Sequence, residues 1–141
     1  MNVLVDTCVL SETKKPRPNE QVVQRLEALP PSEFYLSVLT LGELTRGLAN
    51  LPPSRRRNDL EQWVDDIIVR CANRILVVDQ PIAECWGELL ATASAAGRQV
   101  PPVDALLAAT ALHHGMAIMT RNTADFEATG VTVIDPWADS A

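Results

Sequence analysis

The sequence predicts an α/β domain with a mainly parallel sheet covered on both faces by helices. Three observations carry that expectation. Short apolar runs of strand length alternate with longer segments whose apolar residues recur at helical spacing. The runs lack the polar alternation of half-exposed strands, as strands buried on both faces do. At 141 residues and 47% hydrophobic, the chain suffices for one domain, taken as 1–141, with a substantial core.

Asn2 to Val5 reads as a buried first strand ending at Asp6. Helical spacing over 20–29, through Val22, Val23, Leu26 and Leu29, stops at Pro30-Pro31. Phe34 to Ser37 is a second strand, followed by a helix over about 39–49 that Pro52-Pro53 ends. Leu60, Trp63, Val64, Ile67, Ile68 and Cys71 then form one unbroken helical stripe. A third strand covers 75–78, and a second striped helix uses Ile82, Ala83, Trp86, Leu89, Leu90 and Ala93 before Gly97. Pro101-Pro102 opens a helix running to His114, with Gly115 as its stop. Ala117–Met119 and Val131–Ile134 complete the strands.

Composition excludes several classes. No apolar run approaches the 18 or so residues of a membrane span, so no membrane partner is expected. The start meets an acid at Asp6 without a basic flank, which is not a signal peptide. Cys8, Cys71 and Cys85 are odd in number, widely spaced and form no CxxC pair, pointing to a reduced, cytoplasmic protein. His113 and His114 are adjacent, point about 100° apart on a helix and cannot share a metal, so they read as a polar helix end. The formal charge is −6, which argues against gripping nucleic acid through a broad basic surface. That acidity is local. Residues 1–74 hold ten bases and ten acids, whereas 75–141 hold only Arg98 and Arg121 against eight acids.

Ligands of parallel sheets bind at the carboxyl ends of strands, so acids there come first. Asp6 follows the first strand, where it also suits a helix N-cap. Glu43 either lies on an exposed face paired with Arg46 or faces inward beside Gly47. Asp104 opens a helix that is apolar all round except for itself and Thr110. The helix dipole tolerates a charge there but does not explain an acid on a buried helix, so function is favoured. Asp125 lies three residues after Asn122, beyond the fourth strand, and also suits a first helical turn. Four such acids converging with so few bases need a cation, and oxygen-rich sites suit Mg²⁺, with Mn²⁺ as a substitute. Such an ion polarises phosphate and activates water.

At this point the chain resembles the PIN-domain ribonucleases, in particular the VapC-type toxins of toxin–antitoxin pairs. The matching segments are Val3-Leu4-Val5-Asp6-Thr7 through Leu10-Ser11-Glu12, Gly42-Glu43-Leu44, Pro102 to Ala111, and Thr120-Arg121-Asn122-Thr123-Ala124-Asp125-Phe126. Four motifs in order, spread end to end, make the likeness specific. It implies a PIN-like three-layer α/β/α sandwich and Mg²⁺-dependent hydrolysis of RNA phosphodiesters by an activated water. It implies that Asp6, Glu43, Asp104 and Asp125 form the acidic metal site, with Thr7 or Thr120 and Asn122 as supporting polar groups. It also implies a homodimer held inactive by a cognate VapB-type antitoxin. One departure is Cys8, where many relatives carry Asn, which puts a supporting contact in question.

Other readings fit less well. Haloacid-dehalogenase-type phosphatases want a second Asp where this chain has Cys8, and receiver domains want a late Lys, whereas the only lysines are Lys14 and Lys15. Neither GxGxxG nor GxxxxGK[ST] occurs. A PIN-like binding module without catalysis is the non-enzymatic alternative, disfavoured because all four acids are present. Candidate phosphate contacts are Lys14, Lys15 and Arg17, and Arg55, Arg56 and Arg57, the last three reading equally well as a solvated helix start.

Overall fold

The computed structural model describes residues 1–138, so the last three positions of the expected 1–141 span lie outside the described residues. The elements alternate as follows: β1 (Val3–Val5), α1 (Thr7–Glu12), α2 (Glu20–Glu27), β2 (Phe34–Ser37), α3 (Val38–Ala49), α4 (Arg55–Arg70) and β3 (Ile75–Leu76). Then come α5 (Gln80–Ala95), α6 (Pro102–His113), β4 (Ala117–Met119), α7 (Thr123–Phe126) and β5 (Val133–Ile134). Three-residue 3₁₀ turns precede β2 and β3 and follow α7.

All five strands are parallel, in the order β3-β2-β1-β4-β5. The chain moves outward from β1 through β2 to β3, then returns to the other side of β1 for β4 and β5. The strand order reverses between β1 and β4, where a doubly wound sheet opens a crevice beyond its carboxyl ends.

β1 is the central strand, and its three residues are buried. Successive side chains point to opposite faces. Val3 and Val5 join Leu36, Met119 and residues of α1–α4 in one core. Leu4 joins Ile118, Phe126 and Leu107, Ala108 and Ala111 of α6 in the core on the other side. Each fully buried aliphatic side chain contributes about 1.5–3 kcal/mol. The α/β/α layering expected from sequence is therefore present. α5 packs outside α6 through Ala93, Val100 and Ala105.

Three differences from expectation have a clear physical cause. α1 was anticipated only through the suitability of Asp6 as an N-cap; its six residues are too few to display a helical period. β3 stops at Leu76 because its partner β2 ends at Ser37, which caps α3, leaving Val77 61% exposed. β5 begins at Val133 rather than Val131, because Gly130, at φ +77°, turns the chain first.

Phe126 is wholly buried and anchors the short α7 that carries Asp125. Phe126→Ala is expected to destabilise the protein by about 3–5 kcal/mol, read from the midpoint of urea unfolding.

Candidate active site

The register Val5↔Met119 aligns the ends of β1 and β4, so the next residues, Asp6 and Thr120, emerge side by side. Asp6 N–H donates to the Met119 carbonyl at 2.9 Å, continuing the ladder by one bond. Its side chain, 5% exposed, is held at both oxygens. Oδ1 accepts from Thr7 N–H at 2.8 Å, and Oδ2 accepts from the Thr120 hydroxyl at 2.8 Å. Asp6 is thus the N-cap of α1, as its residue type suggested, while its other oxygen is tied to Thr120.

Thr120 links two elements. Its hydroxyl donates to Asp6 and accepts from Asn122 N–H at 3.1 Å, which starts the turn into α7. Asn122 holds the cap position of α7 through its backbone, without a side-chain capping bond. Cys8 lies where the resemblance placed a supporting amide. Its thiol contacts Asp6 Oδ2 and Thr120 Oγ1, both at 3.7 Å, so the contact persists with a weaker donor. Burial pushes the Cys8 thiol above its usual range, with the charge of Asp6 adding to the effect.

Glu43 is exposed on α3, and its Oε1 accepts from the Thr7 hydroxyl at 2.9 Å. It therefore leans toward the end of β1, and among the described residues no ion pair joins it to Arg46. Asp104 is half-buried in the first turn of α6, whose following residues are almost all buried. Its carboxyl is raised from an ordinary 3.8 to about 7. Burial is the main cause, followed by a hydrogen bond with Asp125 and the charges of Asp6, Asp125 and Glu43. The other three acids named from sequence therefore all act on this one carboxyl.

A carboxyl titrating near neutrality among three other acids is a site with surplus negative charge. Its oxygen-only donors suit a hard divalent cation, which takes the place of the shared proton. Among the described residues, no three His, Cys, Asp or Glu side chains are already gathered closely enough to enclose an ion. The electrostatic coupling and that geometry are compatible with Mg²⁺, which binds through one or two carboxylates and keeps several waters. The donor set thus fits in chemistry, with water completing the shell.

The candidate RNA contacts divide. Lys14, Lys15 and Arg56 line a hollow together with Thr7, Ser11 and Glu43, over an apolar floor that includes Leu44 and Leu48. Lys14 stands 5.3 Å over the Trp63 ring, and Lys15 pairs with Glu12 at 2.9 Å. Arg17 and Arg55 are exposed but do not line that hollow. Arg57 instead donates to the Leu51 carbonyl and to Glu61, both at 2.9 Å, which is a structural role. No acid occupies the first turn of α4, so Arg55–Arg57 oppose its dipole rather than complement it.

Sequence reasoning missed Glu12 as a structural group. It is 5% exposed and accepts from Lys15 and from Asn19 N–H at 3.0 Å, which fixes the turn from α1 to α2. The bond from Lys15 holds its carboxyl below the usual range. The isolated Glu12 to Lys15 spacing was its only sequence signal.

The family profile described as PIN domain matches residues 3–131. The toxin FitB of Neisseria gonorrhoeae is 37% identical over 138 residues, covering 97% of this chain and 99% of that protein. The VapC ribonuclease Y4jK of Sinorhizobium fredii is 34% identical over 136 residues, covering 96% of this chain and 97% of that one. Among solved structures, FitAcB from Neisseria gonorrhoeae superposes with a TM-score of 0.92 at 37% identity, covering 96% of this chain and 98% of that one.

The raised carboxyl sets a pH dependence. Between about pH 4 and 7 the folded chain keeps a proton on Asp104 that the unfolded chain has released. Stability from this group is complete below pH 4 and is lost as pH rises through 7. In a chelator, Asp104→Asn is expected to raise the melting temperature above pH 7 by about 2–4 °C, with no gain below pH 4. A pH series of thermal unfolding by circular dichroism checks this; a constant offset at every pH contradicts it.

Proposed function

The chain belongs to the PIN-domain family, and from that premise we propose that it is an endoribonuclease toxin restrained by a cognate antitoxin. The observation that carries this reading is the convergence of Asp6, Glu43, Asp104 and Asp125 at the crevice between β1 and β4. The VapC ribonuclease and the toxin FitB, both similar over nearly the whole chain, support the reaction class and the toxin role. The 141 residues act as one domain in this reading, and the protein works in the cytoplasm as a homodimer with a VapB-type partner. Among the described residues, no helix is long and apolar enough to cross a membrane.

In this proposal Asp6, Glu43, Asp104 and Asp125 would hold Mg²⁺, or Mn²⁺ in its place, some of them through the waters the ion keeps. When bound, the ion polarises the phosphate and makes water a stronger nucleophile at neutral pH. The chain's own groups arrange that chemistry. Thr7 and Thr120 fix Asp6 by a backbone and a hydroxyl bond, so its oxygens need no reorganisation when substrate arrives. Thr7 also positions Glu43 through its hydroxyl. Without an ion, Asp104 keeps a proton beside Asp125 up to about pH 7, and a bound cation would displace that proton, so ion binding would be coupled to its release. Lys14, Lys15 and Arg56, beside Glu43, meet backbone phosphates flanking the cut.

Expression without the antitoxin is expected to stop growth, and Asp6→Asn or Asp104→Asn to abolish that arrest. Purified, each variant should cleave RNA at least about 100-fold more slowly, the scale lost with one preorganised electrostatic group. Excess EDTA should stop the wild type, and added Mg²⁺ should restore it. Equal toxicity of wild type and both variants, or cleavage that survives EDTA, refutes the mechanism.

A further inference from the structure

Glu43 lines the hollow that holds Lys14, Lys15 and Arg56, and Asp125 forms part of the wall of a second cavity of about 540 Å³. Arg98, Gln99, Ser94, Pro101 and Pro102 line the rest, with Leu90. That volume lies within the roughly 300–1,000 Å³ of small-ligand sites.

Its walls are fixed. Gly97, at φ +72°, ends α5 in a left-handed turn that few other residues tolerate. Arg98 N–H then closes back on the Ala93 carbonyl at 2.8 Å, and Val100 is buried against Ala105 of α6. Trp86 Nε1–H donates to the Pro102 carbonyl at 3.1 Å, tying α5 to the start of α6. Arg98 and Gln99 are thus exposed residues on a held loop.

Arg98 and Arg121 are the only bases after residue 74. Arg121 stacks 5.0 Å over the Trp137 ring. Arg98 pairs with Glu127 at 3.4 Å, with both side chains half or more exposed. Such a surface pair contributes little, so the guanidinium can exchange it for a phosphate that accepts two parallel bonds. Pro101, Pro102 and Leu90 supply apolar surface for a base, while Ser94 and Gln99 supply a hydroxyl and a carboxamide for its edge.

We propose that this cavity is a subsite for one nucleotide next to the cleaved bond, with Arg98 on its phosphate and Gln99 reading its base. The proposal rests on the ribonuclease reading and adds to it a specificity element. The acids then lie between two cationic margins, and the strand crosses from Lys14 and Arg56 to Arg98.

The test uses a fluorescein-labelled single-stranded RNA 20-mer of random sequence, bound to full-length Asp104→Asn protein across a salt series. Adding Arg98→Ala is expected to weaken binding 5- to 30-fold, an order-of-magnitude expectation for one charged contact, and to flatten the log–log salt slope by about 0.7. Arg98→Lys should restore the slope. In otherwise wild-type protein, sequencing the ends of cleaved total RNA should show Gln99→Ala losing base preference at one position beside the cut, with unchanged melting temperature. An unchanged slope in Arg98→Ala, or unchanged cleavage ends in Gln99→Ala, overturns the subsite. Failure of the wild type to cut RNA at all is the separate failure of the ribonuclease reading, and the salt slope still reports on Arg98.

Discussion

Everything at the site depends on one register, that of β1 against β4. Their pairing places Asp6 beside Thr120, and the Thr120 hydroxyl closes the gap at 2.8 Å. A shift of one residue would invert the faces of Val3, Leu4 and Val5, exchanging the side chains that fill the two cores. The core therefore enforces the position of the carboxylate. Because β1 lies between β2 and β4, helices from both halves of the chain begin near the same crevice. α1 and α3 bring Thr7 and Glu43 from one side, while α6 and α7 bring Asp104 and Asp125 from the other.

The same arrangement opposes folding. Acids at the crevice repel one another, and Asp104 relieves the repulsion by keeping its proton to about pH 7. A site that withholds a charge until a cation or substrate compensates it is typical of function rather than of structural ion pairing. The surrounding apolar layers supply the stability that the acids remove. α6 shows the division within a single helix: Asp104 occupies its first turn, while Ala105 and Leu107 through Ala111 are buried behind it.

The layering and the four acids were legible because each left a local signature. Buried strands appear as short apolar runs, and α4 and α5 show their stripes over 16 residues each. Asp104 was conspicuous because the helix around it is apolar. α1 was legible only through its N-cap Asp6, since six residues complete fewer than two turns. Nor could sequence separate Arg56 from Arg57, adjacent residues with the same charge. Only packing turns Arg57 to the Leu51 carbonyl while Arg56 lines the hollow beside Glu43. Arg98 went unsingled for a related reason. It is an exposed residue after a helix stop, and its relation to Asp125 arises from how the α5–α6 loop meets α7 in space.

The charge of −6 takes on a different meaning in this geometry. Four of the eighteen acids belong to the crevice, and under the proposed reading a divalent cation held there would bring the formal total to −4. Bases that contact the crevice are few and placed on its two margins. Affinity for nucleic acid from counterion release grows with the number of phosphates neutralised, so few contacts give weak indiscriminate binding. Selection among RNAs then falls to groups that read a nucleotide next to the acids. An overall acidic nuclease with a small number of fixed cationic contacts is thereby biased toward chosen substrates, because the rest of its surface repels the phosphate backbone.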